Sequence, residues 1–199
     1  ELNIVLRDNP EIKNVVEMSD NNNVQIVDIG IGLNSGIGIV GEMGSMTRSD
    51  YTAIGDQINL GARLESLCKY YNSRKNIYKC TKDKLTGDYI YRFLDLVTVK
   101  GKSEPIEIWQ IHDFDREGEE PLFYSSIKEL KEELEYYHKA IELYKSEKFE
   151  EALEIFKDIN SWENKSNLKI YDIYIERCEH YIEVPPENFN GVFVHTTKG

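Results

Sequence analysis

The chain changes its period once, and that change constrains its fold more than any other feature. Up to about residue 111, apolar side chains recur in short runs separated by Gly, Asn and Ser, the pattern of strands and turns. After the run Asp113, Asp115, Arg116, Glu117, Gly118, Glu119, Glu120, Pro121 they recur at helical spacing: Ile127, Leu130, Leu134, Tyr137, Ile141, Tyr144. The acidic run reads as a solvated linker. The 199 residues therefore divide into an α/β part (1–112), a linker (113–121) and a helical extension (122–199).

Within the first part, residues 2–19 can form a helix interrupted at Pro10, and Val24–Leu33 reads as a strand. Ile37, Ile39 and Val40 begin a second strand. Gly41–Ser49 reads as a polar, glycine-containing turn, and Tyr51–Ile54 resumes the extended chain, giving a hairpin with a long tip. A helix opens near Asp56, a suitable N-cap, and runs to about Tyr71. Leu60, Leu64, Leu67 and Cys68 form its core-facing stripe, with Asn59 and Arg63 four apart on an adjacent face. Strands follow at Asn76–Cys80, Tyr91–Val99 and Pro105–Ile111, with a small helix around Lys82–Thr86. In the extension, helices are predicted over Leu122–Lys145, Phe149–Ile159 and Leu168–Tyr181. The phrase Ala140-x-x-Leu143-Tyr144 … Phe149-x-x-Ala152-Leu153-x-x-Phe156 resembles one tetratricopeptide-type helix pair. No second copy follows at that period, so the pair must dock on something else to bury its face. Val192–Val194 can add a short edge strand.

Charge excludes one class of partner. The 36 acidic and 24 basic residues give −12, the wrong sign for a general nucleic-acid binder. The imbalance is uneven: residues 1–115 hold 17 acids against 13 bases, the remainder 19 against 11. No run of 18 apolar residues predicts a membrane span. Three cysteines without a CxxC fit a reducing, cytoplasmic setting better than a disulfide framework. The chain begins at Glu1, which suggests a piece of a longer protein, one whose upstream part can carry a sensor or membrane region.

Three features carry chemistry. Gly36-Ile37-Gly38-Ile39-Val40-Gly41 matches GxGxxG, but a dinucleotide fingerprint needs a helix to open at its glycines. Here they alternate with Ile in an extended run, the sign of close backbone approach. Asn59 and Arg63 offer an amide and a guanidinium from one helix face, and arginine engages two phosphate oxygens at once. Lys100 stands at a strand end entering a glycine turn, where it can aim an ammonium at a phosphate.

Four separated stretches together resemble the class III nucleotide cyclases: Ile31-Gly-Leu-Asn-Ser-Gly36; Val40-Gly41-x-x-Gly44-Ser45; Asp50 through Leu64; and Leu94-x-x-Val97-x-Val99-Lys100-Gly-Lys-Ser103-x-Pro105-Ile106. The resemblance covers about residues 24–111 and implies an α+β fold. That fold is the second half of a ferredoxin-like cyclase palm with a long β-hairpin arm, here followed by the small all-helical extension seen behind many bacterial members. The implied reaction takes ATP to 3′,5′-cyclic AMP and pyrophosphate with two Mg²⁺ or Mn²⁺ ions, at a site shared by a homodimer through the cyclase domain and hairpin arm. By the same resemblance Asn59 orients the ribose, Arg63 stabilises the α-phosphate charge, Lys100 binds the terminal phosphates and Thr52 reads the base, favouring ATP over GTP. The metal aspartates, and the lysine that pairs with Thr52, belong to the upstream half of the family's domain. Asp28, in an Asp-Ile-x-Gly echo of the first metal motif, falls on a later strand, and Asp50 and Asp56 fit no better. The isolated segment is therefore expected to be inactive. A guanylyl cyclase and a catalytically silent dimerisation module are the alternatives.

Overall fold

The computed structural model describes residues 29–45, 47–98, 104–114, 127–163 and 168–194. The expected helix over 2–19, Val24–Asp28, Lys100 and linker residues 115–121 lie outside them. In chain order the elements are β1 (Ile31–Leu33), β2 (Ile39–Ser45), β3 (Arg48–Ile54), α1 (Asp56–Tyr71), β4 (Lys75–Tyr78), α2 (Lys79–Lys82), β5 (Tyr89–Thr98), β6 (Ile106–Phe114), α3 (Ile127–Lys145), α4 (Phe149–Ser161), α5 (Ile170–Glu183) and β7 (Phe193–Val194). This is the mixed α+β architecture expected. The main sheet runs β1-β4-β6-β5-β7, while β2 and β3 pair only with each other. β1 is parallel to β4 and β7 to β5; the two central pairings are antiparallel.

Three local expectations are corrected. Gly41–Ser49 is not a turn: the β2–β3 ladder continues from Ile39↔Ile54 to Ser45↔Arg48. Its residues are almost all exposed, so no apolar alternation marks the strands; period 2 reports burial, and this arm has little. The tip is short, closed by the Arg48 N–H donating to Ser45 Oγ at 3.2 Å. The N-cap of α1 is Gly55, with no side-chain cap, and Asp56 is the first helical residue. The small helix spans Lys79–Lys82, earlier than Lys82–Thr86.

The helices of the extension share one core with the sheet and α1. Leu60, Leu64, Phe93, Leu94, Val97 and Ile108 sit in a single buried cluster with Tyr137, Ala140, Tyr144, Phe156, Tyr171 and Tyr174. The contact centres on an irregularity in β5, where the register with β6 shifts between Phe93 and Asp95. A bulge leaves backbone groups without ladder partners, and buried ones must be satisfied. Side chains from the extension do so: Phe93 N–H donates to His138 Nε2 (3.2 Å), and the carbonyls of Phe93 and Leu94 accept from Tyr137 (2.8 Å) and Tyr174 (3.0 Å).

Two buried ion pairs flank these bonds. Arg177 grips Asp95 through both carboxylate oxygens, at 3.0 and 2.7 Å. Arg92 reaches Glu133 at 2.8 Å, Tyr171 at 2.6 Å and His112 Nε2 at 3.0 Å, while Tyr171 also donates to Glu133. Arg92, Asp95 and Glu133 are at most 1% exposed. Burial, then the Arg92 charge, pushes the pKa of His112 well below the usual histidine value and that of His138 down to about 4, so both are neutral acceptors.

Candidate functional site

Helix α1 carries Asn59 and Arg63. Leu60, Leu64, Cys68 and Tyr71 bury its inner stripe. Two glycines set its distance from β1: a Cβ on Gly32 would stand 2.0 Å from the Gly61 carbonyl oxygen and 2.5 Å from the Glu65 nitrogen. Only hydrogen at residue 32 lets the helix lie this close; the close backbone approach expected of Gly36–Gly41 falls instead at Gly32, since a Cβ at Gly41 would meet nothing within 4 Å. Further along, Asn76 Nδ2 donates to the Leu64 carbonyl at 2.9 Å. At the C-terminal end Asn72 takes the left-handed cap conformation (φ 54°). The Tyr71 hydroxyl donates to Asp95 (2.9 Å), and the Tyr71 carbonyl accepts from Lys169 N–H (3.1 Å).

On this fixed helix, Asn59 is exposed and Arg63 half-buried, one turn apart on the same flank. Among the described residues, no hydrogen bond or ion pair engages either side chain. A half-buried guanidinium without a protein carboxylate is free to take an anion from solution. Thr52 is likewise exposed, on β3 opposite Gly41. Lys100 belongs to the residues not described.

A cleft of about 570 Å³ opens beside the first turn of α1, lined by Ser35, Gln57, Leu60, Tyr78, Lys84 and Glu104 among others. Asn59, Arg63 and Thr52 are not in its wall. Among the described residues no three His, Cys, Asp or Glu side chains come together to hold a metal ion. Asp50 lies on the exposed arm opposite Met43 and Asp56 at the start of α1; Asp28 is not described.

Sequence reasoning missed Asn34, whose carboxamide bonds to Gln57 in the first turn of α1, and the Arg92 and Asp95 anchors. The signal for the latter was present: two opposite charges inside Tyr91-Arg-Phe-Leu-Asp-Leu-Val97, a segment otherwise apolar.

No protein-family model matches the chain. It is similar to the "Adenylate cyclase, terminal-differentiation specific" of Dictyostelium discoideum, 37% identical over 155 residues, 76% of this chain and 7% of that protein. It is also similar to an adenylate cyclase of Anabaena cylindrica, 34% identical over 88 residues, 43% of this chain and 18% of that one. Against a solved adenylyl cyclase from P. aeruginosa the identity is 31%, covering 53% of this chain and 54% of the other with a TM-score of 0.39. The chain thus spans under a fifth of the length of these curated relatives. The resemblance to class III cyclases read from the motifs stands. A 155-residue match is longer than residues 1–114, which end with β6, so the likeness to the Dictyostelium protein reaches into the extension.

Proposed function

We propose that this chain is the C-terminal part of a class III adenylyl cyclase catalytic domain with its helical extension, and that the protein containing it converts ATP to 3′,5′-cyclic AMP and pyrophosphate. The observation that carries the reading is the pair Asn59 and Arg63, uncommitted on one flank of a helix whose position is fixed by Gly32.

In the reaction, the 3′-hydroxyl attacks the α-phosphorus and pyrophosphate leaves. Asn59 would hold the ribose so that the hydroxyl lies in line with the breaking bond, a contribution of orientation. Arg63 would meet the negative charge that shifts on the α-phosphate as the bond order changes. A fixed cation does this without reorganising at the moment of reaction. Lys100 would bind the terminal phosphates, and the Thr52 hydroxyl would accept from the adenine amine. Divalent ions, on carboxylates expected upstream of this segment, would neutralise the phosphates and activate the hydroxyl.

The arm supports a shared site. Ile37 is 93% and Tyr51 76% exposed, with Ile39, Val40 and Ile54 also open. An apolar surface of this kind marks an interaction face, and a second copy of the cyclase domain is the occupant we favour.

The test is product analysis on the full-length protein, with ATP or GTP and Mn²⁺. Cyclic AMP from ATP is expected, with Arg63→Ala lowering kcat by about 10²–10³, the loss typical of a removed transition-state donor. Absence of any cyclic nucleotide, or an Arg63→Ala variant as active as wild type, would refute the assignment.

A further inference from the structure

We propose that Asn34 is a positioning residue that holds the first turn of α1, and with it Asn59; the inference rests on the role given to Asn59 above. That turn lacks an anchor of its own. Its N-cap is Gly55, at φ 146°, and no side chain caps it. Asn59 closes the turn through its own N–H, which donates to the Gly55 carbonyl at 3.0 Å. A glycine cap costs little to reorient, so the turn needs a tie from outside the helix.

Asn34 supplies that tie from the loop after β1. Its Nδ2 donates to the Gln57 carbonyl and to Gln57 Oε1, both at 2.9 Å. Its Oδ1 accepts from Thr81 Oγ1 at 3.1 Å, and Thr81 Oγ1 in turn accepts the Ser35 N–H at 2.8 Å. One carboxamide thus joins the β1–β2 loop, the first turn of α1 and α2. A Cβ at Gly36 would stand 2.4 Å from Gln57 Cγ, so the Gln57 side chain lies directly on the loop backbone. Gln57 is two residues before Asn59.

Arg63 is held differently. It lies a turn further on, beside the Gly32–Gly61 contact; Asn34 approaches that contact only through its Cβ, which both variants below keep, while its amide bonds to Gln57 and Thr81. Loss of the Asn34 amide should therefore loosen Asn59 while leaving Arg63 in place. Asn34 does not itself belong to the flank that would meet substrate; it acts through Asn59.

Two variants test this. Asn34→Ala removes the whole carboxamide; Asn34→Asp keeps its size but replaces both donors with an acceptor that faces the Gln57 oxygens. Amide hydrogen exchange on this chain should quicken at least tenfold over 58–62 in both variants and stay unchanged over 65–71. In the full-length protein kcat should fall about tenfold, with KM for ATP within twofold of wild type. Arg63→Ala should lower turnover without altering exchange over 58–62. Unchanged exchange over 58–62, an equal rise over 65–71, or a KM effect with kcat preserved would overturn the inference. A wild type without cyclase activity would refute the proposed function instead, and the exchange pattern would then decide the structural role of Asn34 by itself.

Discussion

Arg177→Met is the sharpest single perturbation of the fold. It removes both bonds that Arg177 makes to Asp95 and the stacking of its guanidinium 3.9 Å from the Phe193 ring centroid. Asp95 is 1% exposed, so its carboxylate stays buried with the Tyr71 hydroxyl and the Leu96 N–H, both at 2.9 Å, as donors. Breaking a buried pair from one side costs about 3–5 kcal/mol, because the surviving charge is uncompensated. The two remaining donors place this case near the lower end, about 3 kcal/mol. That is a large share of the roughly 5–15 kcal/mol that keeps a domain folded. The second variant, Arg177→Met with Asp95→Leu, removes the orphaned charge, and replacing a buried pair by apolar residues is often close to neutral. The double variant should therefore be more stable than the single one. Urea unfolding followed by circular dichroism measures both. A single variant within about 1 kcal/mol of wild type, or a double variant less stable than the single, would refute the account of Asp95 as a buried charge that needs Arg177 to compensate it.

Gly32→Ala should destabilise by about 3 kcal/mol, the upper range for forced overpacking, since its methyl cannot coexist with the Gly61 carbonyl. A thermal-melt shift of only a degree or two would contradict the close contact. Acidification should also weaken the fold. The folded pKa of His138 is depressed, from 6.5 to about 4, so between those values the unfolded chain binds the proton and the native one does not. The stability is present above pH 6.5 and is lost as pH falls through that window, by about 2 kcal/mol between pH 7 and 5 from this residue. His112 is shifted the same way and steepens the loss. Urea midpoints across the range test it, and His138→Gln should flatten the profile.

Helix α1 was legible to its last residue, because Leu60, Leu64 and Cys68 at helical spacing report a buried face. The arm was read less well: Glu42, Ser45, Arg48 and Ser49 are strand residues with little to bury, so their polarity suggested a turn. The extension's helices were readable from period, but what they dock on was not. Arg92 and Asp95 look misplaced in an apolar strand until Glu133 and Arg177 arrive from elements 41 and 82 residues further on. Long-range charge partners leave no local pattern. Asn59 and Arg63 stood out as an amide and a guanidinium four residues apart on one helix flank, while the separate roles expected of them came only with the resemblance. Asn34 stood inside a quoted motif, but its bond to Gln57 spans 23 residues and has no signature in spacing.

β7 has a consequence for the order in which this chain can become itself. It pairs with Val97 and Thr98 from 96 residues away, and Phe193 lies against the guanidinium that neutralises Asp95. On a ribosome, β5 emerges early with a buried arginine and a buried aspartate whose partners have not yet been made. The sheet cannot close over them until α5 is out of the tunnel. Contacts of such separation slow folding and leave apolar edges open in the interval. Synthesis halted between β6 and α3 should thus yield a nascent chain that a protease still cuts. Release beyond residue 194 should confer resistance in one step.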